Sequence, residues 1–164
     1  MKGPPNSLDH SAKRFALCTI CKSLAQIQQH KDLKDYSESI GLIYSTSVWD
    51  VTSANEIISL KPVLIKVPSA CNNNFEMLKI LRDDYYGDVH ISFGMTTHRE
   101  EEDIVKFFEE KNQSNRLILY ACTSGYPVPF EDVSMLEIIR IKKKFEKKVK
   151  AIGFSGHHLG ISID

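Results

Sequence analysis

A chain of 164 residues with 21 basic and 21 acidic side chains carries no net charge. That length fits one domain with a buried core, and the charge balance gives no field for nucleic acid or an anionic membrane. No apolar run approaches the ~18 residues of a membrane span. The start, Met1 to Ser7, has no apolar signal-peptide core, so the expected setting is soluble and cytoplasmic.

Residues 1–21, with Gly, Pro, Asn and His in no clear period, are expected to form a poorly ordered N-terminal segment. Within it Cys18 and Cys21 have Cys-x-x-Cys spacing, but neither a strand-to-helix context nor a second ligand pair accompanies them. Four cysteines are also few for a disulfide scaffold. A helix is predicted from Lys22 to Ser39, ending at Ile40-Gly41.

From there the pattern alternates. A strand at 42–47 precedes a short helix near Thr52–Leu60, stopped by Pro62. A strand at 63–68 precedes a helix over Phe75–Tyr86, with a cap among Asn72, Asn73 and Asn74. After the short run at 89–91, Thr97 and Glu100 have capping-box spacing ahead of Ile104, Val105, Phe107 and Phe108. The acidic run Glu100 to Asp103 is read as a solvated first helical turn, favoured by the helix dipole. A strand at 117–122, a rigid loop at 124–129, a helix from Asp132 to Lys148 with a solvated lysine face, and a strand from 151 complete the chain.

Strand-then-helix repetition enforces parallel pairing and helix-covered sheet faces. Neither a Gly-x-Gly-x-x-Gly nor a P-loop lysine is present, so a nucleotide-binding doubly wound sheet lacks its usual signature. A (β/α)₈ barrel is the better template, and five predicted strands make it a partial (β/α)₈ TIM barrel over residues 22–164. Every apolar run ends in small polar residues, and C-terminal strand ends are where such barrels keep their chemistry. Lys66 stands inside an apolar strand, where an ammonium needs a partner. A bound anion, an Asp or Glu across the barrel, or a Schiff-base role in an aldolase would each supply a reason. His157 follows a strand and a Ser-Gly turn, which suits either a metal ligand or a capping role. His90, His98 and His158 are read as capping or core residues, and His10 and His30 have no context.

Five stretches, Tyr44–Asp50, Ile65–Ser69, Ile91–Thr97, Cys122–Val133 and Gly153–Gly160, together resemble the sialic acid (nonulosonic acid) synthase family. These enzymes condense phosphoenolpyruvate with an N-acylated aldose, releasing phosphate. The resemblance implies that Thr46, Lys66, Ser69, Ser92 and Ser155 hold the phosphate and carboxylate of phosphoenolpyruvate. It places Ser124 near the substrates, Tyr126 beside the sugar and His157 as one of two histidines on Mn²⁺ or Mg²⁺. Lys66 and Tyr126 are the candidate catalytic residues. The family's catalytic glutamate, second metal histidine and antifreeze-like domain have no counterpart in the chain. Gly156 stands where an Asp commonly precedes the metal histidine, and Cys71 where many members have a substrate-contacting Glu. Full-length relatives pair as homodimers. The expectation is a fragment of such a synthase with little or no activity alone. The alternatives are a non-catalytic remnant that binds an anion or a partner chain, and an aldolase using Lys66.

Overall fold

The computed structural model describes residues 26–161. The expected N-terminal segment, Cys18, Cys21 and the predicted start of the first helix therefore lie outside the described residues. The chain divides into two compact units at Ile43 and Tyr44. The first contains helix α1, Ile27–Ser39, whose N-terminus is held by Gln26 N donating to Gln29 Oε1 at 2.8 Å. Gly41 follows its C-cap at φ 72°, a left-handed conformation that costs glycine little.

The second unit is a strict β/α repeat. Strands β1 (Ser45–Ser47), β2 (Leu64–Val67), β3 (Asp88–Ser92), β4 (Leu117–Cys122) and β5 (Ala151–Ser155) form one sheet in sequence order, every neighbouring pair parallel. Helices α2 (Val51–Ser59), α3 (Phe75–Asp83), α4 (His98–Glu109) and α5 (Leu136–Phe145) fill the crossovers. The partial (β/α) barrel expected from the repetition is what forms.

Alternation along each strand separates two faces. Ile65, Val67, Val89, Ile91, Leu117 and Leu119 are fully buried and form the side covered by helices. Their helical counterparts include Ile57, Leu78, Leu81, Ile104, Phe108 and Ile141, also buried. The other face carries Lys66 and His90 in one row, Tyr120 and Gly153 in the next, and Ser155 beyond them. Lys66 Nζ donates to Ser155 Oγ at 3.2 Å, from β2 to β5. Three strand spacings of about 4.8 Å would separate those strands by roughly 14 Å in a flat sheet, farther than the two side chains span. The sheet therefore curves like a barrel wall, with Lys66 and Ser155 on its concave side.

The strand starts and strand ends do different work. Near the starts, Arg116 donates to the carbonyls of Gly87, Leu81 and Arg82 at 2.8, 2.6 and 2.9 Å, satisfying groups left over at the end of α3. Tyr85 donates to the Pro62 carbonyl, and Lys150 pairs with Asp88. The hydroxyls gather at the ends.

Several boundaries differ from expectation. β1 begins at Ser45, with Leu42 and Ile43 exposed before it. α3 stops at Asp83. α5 starts at Leu136 because Phe130–Asp132 form a separate 3₁₀ turn. The acidic run is a larger correction, since Glu101 is buried and both its oxygens accept from Arg140, at 2.6 and 2.9 Å. The lysine face of α5 is partly engaged as well, Lys144 with Glu102 and Lys148 with Glu109.

The predicted cap of α3 is present, with Asn74 Oδ1 accepting from Met77 N at 3.1 Å. Asn74→Ala is expected to cost about 1 kcal/mol in urea unfolding. A loss no larger than that of an ordinary surface substitution would show the cap to be dispensable.

Candidate active site

Three clusters of predicted residues form at the strand ends. The first is the Lys66–Ser155 contact. The Lys66 ammonium also lies 5.5 Å from the Tyr120 ring centroid, within cation–π range.

The second surrounds Gly94. Its amide donates to Ser69 Oγ at 3.0 Å. A Cβ at position 94 would overlap Ser124 Oγ and stand 2.7 Å from Ser69 Oγ, so both hydroxyls crowd a backbone that only glycine permits. The oxygens Ser92 Oγ and Ser124 Oγ are buried and have no hydrogen-bond partner among the described residues. Burying an unsatisfied hydroxyl costs about 1–3 kcal/mol, and an anionic oxygen accepting from it would recover that. Asn72 fixes the loop by donating to the Ser92 carbonyl at 2.8 Å and to Thr96 Oγ1, while Thr96 Oγ1 donates to the Gly94 carbonyl.

The third joins the loops after β4 and β5. The Tyr126 and His157 ring centroids are 4.5 Å apart, and Val128 N donates to the His157 carbonyl at 3.0 Å. Tyr126 itself is 79% exposed, so its ring stands in solvent. The Tyr126–Pro127 bond is cis.

Thr46 is not brought to the concave face. The register pairs it with Ile65 on the helix side, while Ser47 pairs with Lys66, and Val48, on the same side as Thr46, is fully buried. A displacement of one residue reverses the face in a strand, so Ser47 is the hydroxyl that accompanies Lys66. Cys71 is buried, its thiol donating weakly to the Val48 carbonyl at 3.6 Å. Burial, reinforced by Asp50, pushes that thiol up to about 11, which keeps it protonated and inert.

The concave face also holds His90, for which the sequence suggests only a core or capping role, and Tyr120, for which it suggests none. His90 Nδ1 and the Tyr120 hydroxyl are 2.7 Å apart, and their rings stack. Burial holds the His90 imidazole below its ordinary value, helped by the Lys66 and Lys150 ammoniums and opposed by Asp88. Burial pushes the Tyr120 hydroxyl up. Polar side chains in mid-strand, at Val89-His90-Ile91 and Leu119-Tyr120-Ala121, were the available signal.

Among the described residues no group of three His, Cys, Asp or Glu side chains could hold a metal ion. His157 offers one imidazole, and Mn²⁺ or Mg²⁺ needs a fuller, mostly oxygen shell. The described residues do not fit a divalent ion by themselves. No helix among them is long and apolar enough to cross a membrane.

The same architecture occurs in known proteins. The chain is 30% identical over 135 residues to the N-acetylneuraminate-9-phosphate synthase of Drosophila melanogaster, covering 82% of this chain and 35% of that protein. It is 29% identical over 139 residues to the N,N'-diacetyllegionaminic acid synthase of Legionella pneumophila, covering 83% and 38% respectively. The crystal structure of N-acetylneuraminic acid (sialic acid) synthetase from Leptospira borgpetersenii superposes with a TM-score of 0.78 at 26% identity, over 85% of this chain and 47% of that one. The chain thus spans less than half the length of these relatives. A match to the NeuB family runs through residues 8–164, and the chain belongs to that family.

Proposed function

We propose that the concave face binds phosphoenolpyruvate and belongs to a synthase that condenses it with an N-acylated aldose to a nonulosonic acid. One observation carries the reading: an ammonium and a set of serine hydroxyls occupy one face at the strand ends, Lys66 with Ser155 and Ser69 with Ser124 around Gly94. Phosphoenolpyruvate presents a carboxylate and a phosphate. Lys66 supplies the positive charge, and Ser69, Ser92, Ser124 and Ser155 supply neutral donors that add little desolvation cost. Tyr126, whose ring is exposed beside His157, packs against the sugar in this reading. The names of the similar proteins, synthases of sialic and legionaminic acids, support the substrate class.

In this reaction C3 of phosphoenolpyruvate bonds to the aldehyde carbon and the aldehyde oxygen takes a proton. Water adds at C2, the C2–O bond to phosphate breaks, and inorganic phosphate leaves with the keto acid. The residues of this chain contribute charge and orientation. Donors fixed by the fold hold the phosphate and carboxylate without reorganising as charge moves.

Thermal protection tests the assignment. Phosphoenolpyruvate at 100 times its Kd is expected to add about 2.7 kcal/mol of stability, roughly 5–10 °C in Tm for a domain this size. Lys66→Ala is expected to abolish that shift. Equal protection of both proteins would refute the role of Lys66. Borohydride trapping of pyruvate on Lys66 would instead make it a Schiff-base residue.

A further inference from the structure

We infer that Tyr120 and His90 are positioning residues for Lys66, forming an aromatic floor that holds its ammonium toward Ser155. This rests on the phosphoenolpyruvate reading for the ligand, although the floor itself is a property of the free protein.

Three observations converge on it. The Lys66 ammonium lies 5.5 Å from the Tyr120 ring centroid while donating to Ser155 Oγ at 3.2 Å. A lysine has four rotatable bonds, and holding it in one geometry sacrifices considerable rotamer entropy. A ring face beneath the ammonium and a hydroxyl beyond it define one trajectory. The Tyr120 ring is itself fixed, with its hydroxyl 2.7 Å from His90 Nδ1 and its face stacked on the imidazole at 5.6 Å between centroids. Finally, β5 makes room for it. A Cβ at Gly153 would stand 2.8 Å from Tyr120 Cε1 and 3.0 Å from Cδ1, so the absent side chain on the neighbouring strand is the space the ring occupies.

The register explains why these residues meet. His90 is the partner of Lys66 across β2 and β3, and Gly153 is the partner of Tyr120 across β4 and β5. Between β3 and β4 the register pairs His90 with Ile118 and Ser92 with Tyr120, so the lysine–imidazole row and the phenol–glycine row lie one step apart on the same face. The phenol leans back toward the lysine over the imidazole. Neither residue needs to touch the substrate, since both act through the Lys66 ammonium.

The test combines NMR of the Lys66 side-chain resonances with calorimetric titration of phosphoenolpyruvate. In the unliganded protein the Lys66 Cε protons are expected to carry a ring-current shift that Tyr120→Leu removes. The same variant is expected to bind phosphoenolpyruvate about tenfold more weakly, the size of a partly desolvated cation–π contact. Tyr120→Phe keeps the ring but frees it from His90, so a loss of about threefold is expected, as for one neutral hydrogen bond. His90→Leu should match Tyr120→Phe, and His90→Gln, whose amide can still bond the phenol, should restore affinity. General structural damage would not sort the two His90 variants in that order.

A folded Tyr120→Leu with unchanged Lys66 resonances and affinity would overturn the inference. Should that variant fail to fold, Tyr120→Phe and the His90 pair decide, and equal affinity in all three would overturn it. Loss of the ring-current shift without any phosphoenolpyruvate binding by the unsubstituted protein would uphold the floor and refute the substrate. Normal binding that no variant weakens would do the reverse.

Discussion

Arg140→Ala is expected to lower the stability of the protein by about 3 kcal/mol, the low end for removing one partner of a buried ion pair, because Arg140 itself is 26% exposed. Glu101 is 2% exposed, and its two carboxylate oxygens accept from the Arg140 guanidinium at 2.6 and 2.9 Å. Arg140 also donates to Glu137 at 2.6 Å, which sets the direction of the fork. Truncation would leave the buried Glu101 carboxylate between α4 and α5 with its counter-charge gone. Domains of this kind have about 5–15 kcal/mol in total, so the loss is a large share of it. Arg140→Lys should recover only part, because an ammonium cannot span both oxygens. The double substitution Glu101→Leu with Arg140→Met should be close to neutral, as apolar groups of similar volume avoid the desolvation cost. Urea denaturation followed by circular dichroism measures all of these. A loss below 1 kcal/mol for Arg140→Ala would mean that water reaches Glu101.

Gly94→Ala is expected to weaken phosphoenolpyruvate binding about 100-fold while leaving the fold intact, the effect of displacing two hydroxyls that bond a charged ligand. The added methyl cannot coexist with Ser124 Oγ or Ser69 Oγ where they stand, and the Cys122 carbonyl, 3.2 Å from it, limits any retreat of the loop. Serine side chains turn about one bond, so the strain is relieved by swinging both hydroxyls out of the site. Calorimetric titration with phosphoenolpyruvate reads the loss, and the thermal midpoint without ligand serves as the control. Native affinity in Gly94→Ala would remove this cluster from the anion site.

The strands were legible because each is a short apolar run interrupted by hydroxyl-bearing residues, and parallel order followed from the room between them. Local signals also held up, with Asn74 capping α3 and Thr97 and Glu100 exchanging hydrogen bonds at the start of α4. Tertiary partners were less accessible. Glu101 precedes Ile104, Val105 and Phe108 by three, four and seven residues and so shares their helix face, but the acidic run masks that position, and the sequence names no partner for a buried carboxylate. That partner is Arg140, 39 residues away. Thr46 illustrates a different limit, because a single residue of register decides which face a hydroxyl joins. His90 and Tyr120 were visible as polar interruptions of apolar strands, but their contact depends on two register relations and on the space at Gly153.

The bond from Val128 N to the His157 carbonyl ties the segment after β4 to the segment after β5. Lengthening either segment would drag the imidazole and the Tyr126 ring with it. A change of chemistry at this rim is thereby reached more directly by exchanging single side chains, Tyr126 among them, than by rebuilding the segment that carries them.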